Sequence, residues 1–465
     1  MPALSVVVAT VDRPAALKAC LAGIDRLEGA VVEVIVVVGP GGESTIEELE
    51  GLANVATVIA NPVRNLSVSR NLGLDAATGE LIGFLDDDAI PTERWLADLL
   101  PHFDDPEVAA VGGPVFDYTG HSLQARYSRC TRAGDASVVL APPIRGLTET
   151  PAAGTFDYPI GTNLVVRADA VAAVGGFDEQ FDYFHDETDL ARRLLNHGWI
   201  VRVAQHGAVV HRYLPSSTRG SDRVATDRRS ILVNRAYFAA RHQLPDEGVA
   251  AVRRDFDAFV AHHRSEMEAA GLDDATLARF DEHAKEAHLR LAGWLQAPPV
   301  PRRHVPDPTT VVAHQSVTTG AASLRLHIIV VSAIRGGDGD ANVARALASD
   351  GHTVRLVDFD GGSHHRVDFE GGFWRHRLGD LPLPLPRDLA EVVDPDDRST
   401  WRPLAAALSE VTQIDTELWS PSAIVIEATH PLARCLAQRG YRVVDPDALG
   451  QAGSIDERTA LLDEA

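Results

Sequence analysis

Cysteine is almost missing from this chain: three residues, Cys20, Cys130 and Cys435, lie far apart. They supply neither the framework of a disulfide-stapled secreted domain nor the paired spacing of a structural zinc site, so a reducing cytoplasm is the expected compartment. Long apolar runs are missing too. Nothing approaches the roughly 20 residues that span a bilayer, and the longest candidate, 31–38, contains Glu33 and reads as a buried strand. MPALSVVVAT enters a strand with no basic stretch ahead of it, so no secretory signal is expected. Positive charge is scarce, 43 Lys and Arg against 66 Asp and Glu, for a net charge of −23. A chain of that sign is repelled by nucleic acid and by anionic lipid, and neither is an expected partner. What remains is 45% apolar residues in 465, enough for real cores and for two or three domains.

Apolar runs at 4–9, 31–38, 55–60, 81–85 and 108–115 alternate with helical spacing at 14–27, 45–52, 67–77 and 92–102. That alternation predicts an α/β fold with a parallel sheet, whose ligands gather beyond the carboxyl ends of the strands. Thr10, Asp12 and Arg13 follow the first strand, and Asp86, Asp87 and Asp88 end the fourth in LIGFLDDDAIP. Carboxylates at the mouth of an apolar strand need their charge offset, and Asp-x-Asp spacing suits Mg²⁺ or Mn²⁺. The alternative is that the triplet caps a helix beginning near Pro91, and that Thr10 or Asp12 caps the helix after Pro14. Residues 117–160 read as a long irregular loop. Gly161, Thr162 and Asn163 lead into a short strand, and Leu190, Leu194 and Leu195 mark one face of a helix stopping at Gly198. Asp186, Glu187 and Asp189 fall in its first turn, where carboxylates suit the helix dipole and Asp189 can pair with Arg193. A strand at 208–210 delivers His211, and the polar segment 215–221 has the composition of a lid.

Four blocks now resemble, in order, the family-2 glycosyltransferases of the nucleotide-diphospho-sugar-binding type, the GT-A fold. They are VVVATVDRPAALKACLAGI, NLSVSRNLGLDAATGELIGFLDDDAIP, GTNLVVRADAVAAVGGFDE with DETDLARRLLNHGW, and the lone His211 at a strand end. The resemblance covers residues 1–244. It implies a metal-dependent, inverting transfer of a sugar from a nucleotide-diphosphate donor to a hydroxyl of a glycan or other acceptor, in polysaccharide or glycoconjugate synthesis. It implies Mn²⁺ or Mg²⁺ held by Asp88 with Asp86 and His211. Thr10, Asp12, Arg13, Arg70, Asp86 and Asp87 match nucleotide-sugar contacts, and Gly161, Thr162 and Asn163 match a sugar or acceptor lining. Asp186 and Glu187 match the family's acidic pair, with Glu187 as the base. One departure concerns the base: Gly39 stands where the family places an acid after the second strand, so the uridine that the family implies lacks its usual partner unless Glu43 substitutes. Two rivals are a nucleotidyltransferase acting on sugar phosphates and a non-catalytic nucleotide-sugar-binding scaffold. VVVATVDRP is not the glycine-rich basic loop of the first, and the joint presence of Asp88, Glu187 and His211 argues against the second.

Residues 245–296 have amphipathic helical spacing and read as a helical extension, a hairpin packed on the catalytic domain or on another subunit of a homo-oligomer. Its histidines, His262, His263, His283 and His288, read as solvated rather than metal-bound. Residues 297–322 are rich in Pro, Thr and Ser and read as a linker. A smaller Rossmann-like α/β domain is expected over 323–465. There Gly337 and Gly339, with Asn342 in the third glycine's place and Asp358 beyond, make a degraded dinucleotide fingerprint. The same stretch resembles the amino-terminal half of GT-B glycosyltransferases, and a half-domain with binding or packing duties is the favoured reading.

Overall fold

The first apolar runs fold as β1 (Leu4–Thr10), β2 (Glu33–Val38), β3 (Thr57–Ala60) and β4 (Leu81–Asp86), joined by α1 (Pro14–Ile24), α2 (Glu43–Leu49) and α3 (Leu66–Ala76). The computed structural model describes residues 4–27, 33–49, 55, 57–118, 122–141, 154–215, 225, 227–242, 248–303, 309–313, 327–331, 338–349, 352–359, 366–370, 373–378, 423–425, 442–451 and 461. β1 lies parallel to β2 and to β4, with Thr10 beside Val38 and Ala9 beside Asp86. This register brings the carboxyl ends of three strands to one place. The strands are buried on both faces, which is why they read as continuous rather than alternating apolar runs.

The chain continues through β5 (Ala89–Pro91), α4 (Trp95–Leu99), β6 (Val108–Gly112), β7 (Val115–Phe116), β8 (Leu123–Ala125), β9 (Tyr127–Thr131), β10 (Ala136–Val139), β11 (Thr155–Tyr158) and β12 (Leu164–Arg167). Then come α5 (Ala168–Ala173), α6 (Asp186–Asn196), β13 (Ile200–Val203), β14 (Val209–His211), α7 (Arg229–His242), α8 (Gly248–Ala269), α9 (Asp274–Gln296) and β15 (Thr309–Ala313). The main sheet has eight strands in the order β13-β6-β12-β4-β1-β2-β3-β15. β12 runs antiparallel to β4 and β6, and β15 antiparallel to β3. Two small sheets, β10-β9-β11 and β5-β14-β7-β8, flank the cleft side.

Three expectations change here. The run at 108–115 is two strands in different sheets, broken at Gly112 and Gly113, where an added Cβ would stand 2.1 Å from the Asn163 carbonyl and 2.3 Å from that of Gly207. Residues 117–160 are not a plain loop but hold β8 to β11, strands of three to five residues whose alternation is too short to register as a period. The expected linker packs on the domain: β15 extends the main sheet, Arg302 N–H donates to Asp178 at 2.9 Å, and Glu179 N–H donates to the Arg302 carbonyl at 2.8 Å. The segment expected as a lid falls, from residue 216, outside the described residues.

Helices α8 and α9 form an antiparallel hairpin against α7, around Leu232, Phe256, Met267, Phe280 and Leu291. The hairpin turns at Gly271, φ +71°, and Asp273 caps α9 by accepting from Thr276 N–H. Trp294 meets Tyr237 edge-on with centroids 5.2 Å apart, tying the hairpin to the core of the main sheet. Farther on lie β16 (His327–Val331), α10 (Asp338–Ser349), β17 (Thr353–Phe359), β18 (Arg366–Glu370), β19 (Phe373–Leu378), β20 (Ala423–Val425), β21 (Val443–Val444) and α11 (Pro446–Gln451). They form a sheet ordered β18-β19-β17-β16-β20-β21, parallel except for β18. Gly337 lies outside the described residues, Gly339 and Asn342 open α10, and Asp358 is in β17. Among the described residues no helix is long and apolar enough to cross a membrane.

The role of β15 is testable by truncation. A chain ending after residue 314 should keep its thermal midpoint in the main domain. One ending at residue 297 loses β15 and the Arg302 contacts, and should melt at least ~2–4 °C lower, the shift that ~1 kcal/mol produces in a domain of this size. Equal midpoints would show that β15 contributes nothing.

Candidate active site

β5 pairs with β14, placing His211 beside Ala89 and so against the turn that carries the three acids. Asp87 and Asp88 are buried, whereas Asp86 is partly open. The capping alternative fails on both sides. Residues 89–91 form a strand, and α4 starts only at Trp95 with no side-chain cap. Arg13 is the N-cap of α1 and makes no capping bond either. Thr10 instead donates its hydroxyl to Asp87 Oδ2 at 2.7 Å. Arg13 grips Asp87 at 2.5 and 3.1 Å and reaches Asp88 at 3.2 Å. Asp12 faces solvent, where it accepts from the Ser44 hydroxyl at 3.0 Å.

Burial pushes the Asp87 carboxyl up to about 7, with the charges of Asp88 and Asp86 adding to the rise and Arg13 and Thr10 opposing it. Burial pushes Asp88 the same way, but His211, Arg13 and the Leu214 N–H outweigh it and hold this carboxyl well below the usual range. The Leu214 N–H donates to Asp88 Oδ2 at 2.8 Å because Tyr213, at φ +51°, turns the chain back toward the acid.

Asp86, Asp88 and His211 offer ligand atoms all within 4.8 Å of one another. His211 Nε2 is 3.3 Å from Asp88 Oδ1 and 3.9 Å from Asp86 Oδ2. Its other nitrogen, Nδ1, is 3.0 Å from Gln124 Oε1. An amide oxygen only accepts, so Nδ1 carries a proton toward Gln124; Nε2 faces the acids and would become a ligand once a metal displaces its proton. Two carboxylates and one imidazole suit Mn²⁺ and, with more water, Mg²⁺.

Two cavities meet at this point. The first, about 390 Å³, is lined by Thr10, Arg13, Gly39 and the three acids, together with Val63, Arg64 and Tyr183. The second, about 310 Å³, is lined by Arg70, Gly161, Thr162, Asp186, Glu187 and Gln124, among others. Leu66, Asp86, Tyr183 and His211 belong to both. Arg70 is the strut between acids: it pairs with Asp186, lies 3.5 Å from Asp86 and donates to the Gly161 carbonyl at 3.2 Å. A Cβ on Gly161 would stand 2.9 Å from that guanidinium, so a larger residue there would displace Arg70 from its contacts. Asp186 is buried against Arg70, while Glu187 is half-buried and faces the second cavity. Burial pushes the Glu187 carboxyl up to about 8, the adjacent Asp186 adding to the rise and Arg70 opposing it.

Two candidates have other work. Asn163 is fully buried; its amide donates to the carbonyls of Pro114 and Gly207 at 3.1 and 2.9 Å and accepts from Trp95 Nε1 at 2.7 Å. It holds the site's loops together rather than lining the cleft. Asp189, as its spacing suggests, binds Arg193 at 2.7 Å, and also Arg241 at 3.0 Å and His242 at 2.8 Å. Gln124, Arg64 and Tyr183 carry no signal in the sequence. Gln124 stands in a stretch that reads as irregular, and only its strand pairing reveals which way it is carried.

Gln124→Leu should weaken Mn²⁺ binding, read by electron paramagnetic resonance, by ~10–100-fold, as loss of a ligand-orienting partner does. Gln124→Glu should retain affinity, and unchanged affinity in the Leu variant would remove Gln124 from this role. Asp189→Asn takes the carboxylate from buried Arg193, while Arg241 keeps Asp178, and should cost about 3–5 kcal/mol in urea unfolding. Its Mn²⁺ affinity should be unaltered; a loss of affinity with full stability would make Asp189 part of the site.

Residues 5–174 match the family model described as Glycosyl transferase family 2. The pre-mycofactocin glycosyltransferase of Mycobacterium tuberculosis is 33% identical over 146 residues, 31% of this chain and 29% of that protein. The succinoglycan biosynthesis protein ExoM of Rhizobium meliloti is 33% identical over 114 residues, 24% of this chain and 33% of that protein. The matched stretch thus spans no more than a third of either relative. Among solved structures, the mannosyltransferase PcManGT from Pyrobaculum calidifontis, in complex with GDP-Man and Mn²⁺, is 16% identical, with 63% of this chain and 83% of that chain covered at a TM-score of 0.38. The likeness to the family-2 glycosyl transferases thus rests on residues 5–174, the stretch that carries β1 to β4 and the three acids.

Proposed function

We propose that the protein moves a sugar from a nucleotide-diphosphate donor, UDP-linked, to an acceptor hydroxyl with inversion at the anomeric carbon, in polysaccharide or glycoconjugate synthesis. One observation carries the reading: Asp86 and His211 stand where two cavities join, and Glu187 lines only the second. The first cavity then takes the nucleotide and the second the acceptor, with the sugar at the junction. Mn²⁺ or Mg²⁺, held by Asp86, Asp88 and His211, supplies positive charge against the diphosphate as it leaves.

The protein's own residues do the rest. Thr10 and Arg13 fix Asp87 and Asp88 in place. Arg70 occupies both oxygen-rich walls and keeps Asp186 engaged, which leaves Glu187 to take the proton of the acceptor hydroxyl. Residues 1–244 with the extension 245–296 are the catalytic part in this reading. The stretch 297–322 is the connection, and 323–465 is a Rossmann-like unit with binding or packing duties. The setting is cytoplasmic.

A screen of nucleotide sugars with Mn²⁺ or Mg²⁺, scored by donor hydrolysis, tests the reaction class; no turnover with any donor contradicts it. Glu187→Gln should cut kcat by about 100-fold or more, as loss of a general base does, and leave UDP affinity unchanged because the base acts on the transition state. Only the carboxylate accepts a proton, and burial raises this one to about 8. Wild-type kcat/KM should therefore climb with pH up to about 8, and the variant should lose that dependence. If Asp186→Asn is inactive and Glu187→Gln active, the base is Asp186.

A further inference from the structure

We propose that the acceptor is an alcohol carried on an apolar, ring-containing body, with its hydroxyl directed to Glu187 and its body resting on Phe184, Tyr183 and Val138. The inference rests on reading the second cavity as the acceptor side. It comes from what that cavity exposes. Val138 is 59% exposed, Phe184 42% and Tyr183 40%, and all three line it; Leu140, 55% exposed, follows just beyond the end of β10. These are among the few large apolar side chains left open in the described residues. β10 is moreover an edge strand of its sheet, where an open apolar surface is a hazard that folding alone gives no reason to keep.

Phe184 carries a second cost. Its φ is +79° and that of the next residue, His185, is +69°, a left-handed conformation that a bulky side chain adopts only under constraint. The constraint is identifiable: Asn234 binds the carbonyls of Tyr183 and Phe184 at 2.7 and 3.1 Å, and the ring of buried His185 bonds the Gly134 carbonyl at 2.9 Å. The segment is clamped so that the Phe184 ring stands out beside Tyr183, centroids 6.1 Å apart. The exposure of that aromatic, three residues before the proposed base, is recovered only when something covers the ring.

The cavity floor has the opposite character, with Arg70, Asp186, Glu187, Thr188 and Ser128. A saccharide body carries hydroxyls all round, each needing a partner once water leaves. At the lip Phe184, Val138 and Leu140 provide none, and only the Tyr183 hydroxyl offers one. A polar floor under an apolar lip matches a molecule with one polar end.

The test uses the full chain and two probes, tyrosol and maltose, with binding read by saturation-transfer NMR and titration. Tyrosol should bind with a Kd of about 1 mM, fitting its small size, and maltose should not bind detectably. Phe184→Gly frees the strained backbone, so its thermal midpoint should not fall while tyrosol affinity drops by ~10-fold or more. Val138→Asp, at an exposed position, should weaken tyrosol likewise. UDP binding with Mn²⁺, measured alongside, should be unaffected in both variants, because neither residue lines the first cavity. Maltose binding as tightly as tyrosol would overturn the proposal. So would tyrosol affinity that survives both substitutions, or a Phe184→Gly variant that melts lower while Val138→Asp still binds. Failure of wild-type protein to bind UDP with Mn²⁺ would overturn the transferase reading beneath it, whatever the tyrosol result.

Discussion

Mutual repulsion among carboxylates brought out of water is the constraint on which this site depends. Asp86, Asp87 and Asp88 end a buried strand, and Asp186 and Glu187 approach from the opposite wall. Arg13 and Arg70 are the cations set against them, each bridging two of the acids. Five acids facing two guanidinium groups remain short of positive charge. Burial, and after it the charge of neighbouring acids, holds two of these carboxyls, Asp87 and Glu187, above their ordinary values. A divalent cation among Asp86, Asp88 and His211 is the natural counterweight, and charge so arranged is worth most in a site sheltered from water.

The scaffold exists to hold that arrangement. Parallel pairing of β1 with β4 sets Thr10 and Arg13 beside Asp87, and pairing of β5 with β14 sets His211 beside Asp88. One close approach needs glycine: Gly112, where an added Cβ would meet the Asn163 backbone carbonyl at 2.1 Å. Strained residues Phe184, His185 and Tyr213 all border the cleft. Each lies within a turn of chain of a group proposed to act, Glu187 in one case and His211 in the other. Local backbone strain gathered at a site is what function, rather than folding, retains.

Much of this is legible in the sequence because it depends on short-range pattern. A strand buried on both faces is an apolar run, and its end is marked by the first polar or charged residue, so the run itself places Thr10 and Asp86. Asp189 is told from Glu187 by its i,i+4 arginine. What the sequence conceals depends on long-range pairing. Strands of three to five residues such as β8 and β10 carry too few alternations to read, which hides Gln124 and the apolar lip at Val138. Asn163 looks like a lining residue beside Gly161 and Thr162. Only its bonds to Pro114, Gly207 and Trp95, from distant parts of the chain, show otherwise. β15 is hidden for another reason: a composition rich in Pro and Thr describes a linker and an edge strand equally well.

The central claim is that the acidic cluster is completed by a divalent cation that then holds the nucleotide diphosphate. Calorimetric titration of UDP into wild-type protein and Asp88→Asn, each with and without Mn²⁺, addresses it most directly. The account predicts UDP binding by the wild type that depends on Mn²⁺, and loss of that dependence in Asp88→Asn. Equal UDP affinity with and without Mn²⁺ in the wild type, or full Mn²⁺-dependent affinity in the variant, would contradict it.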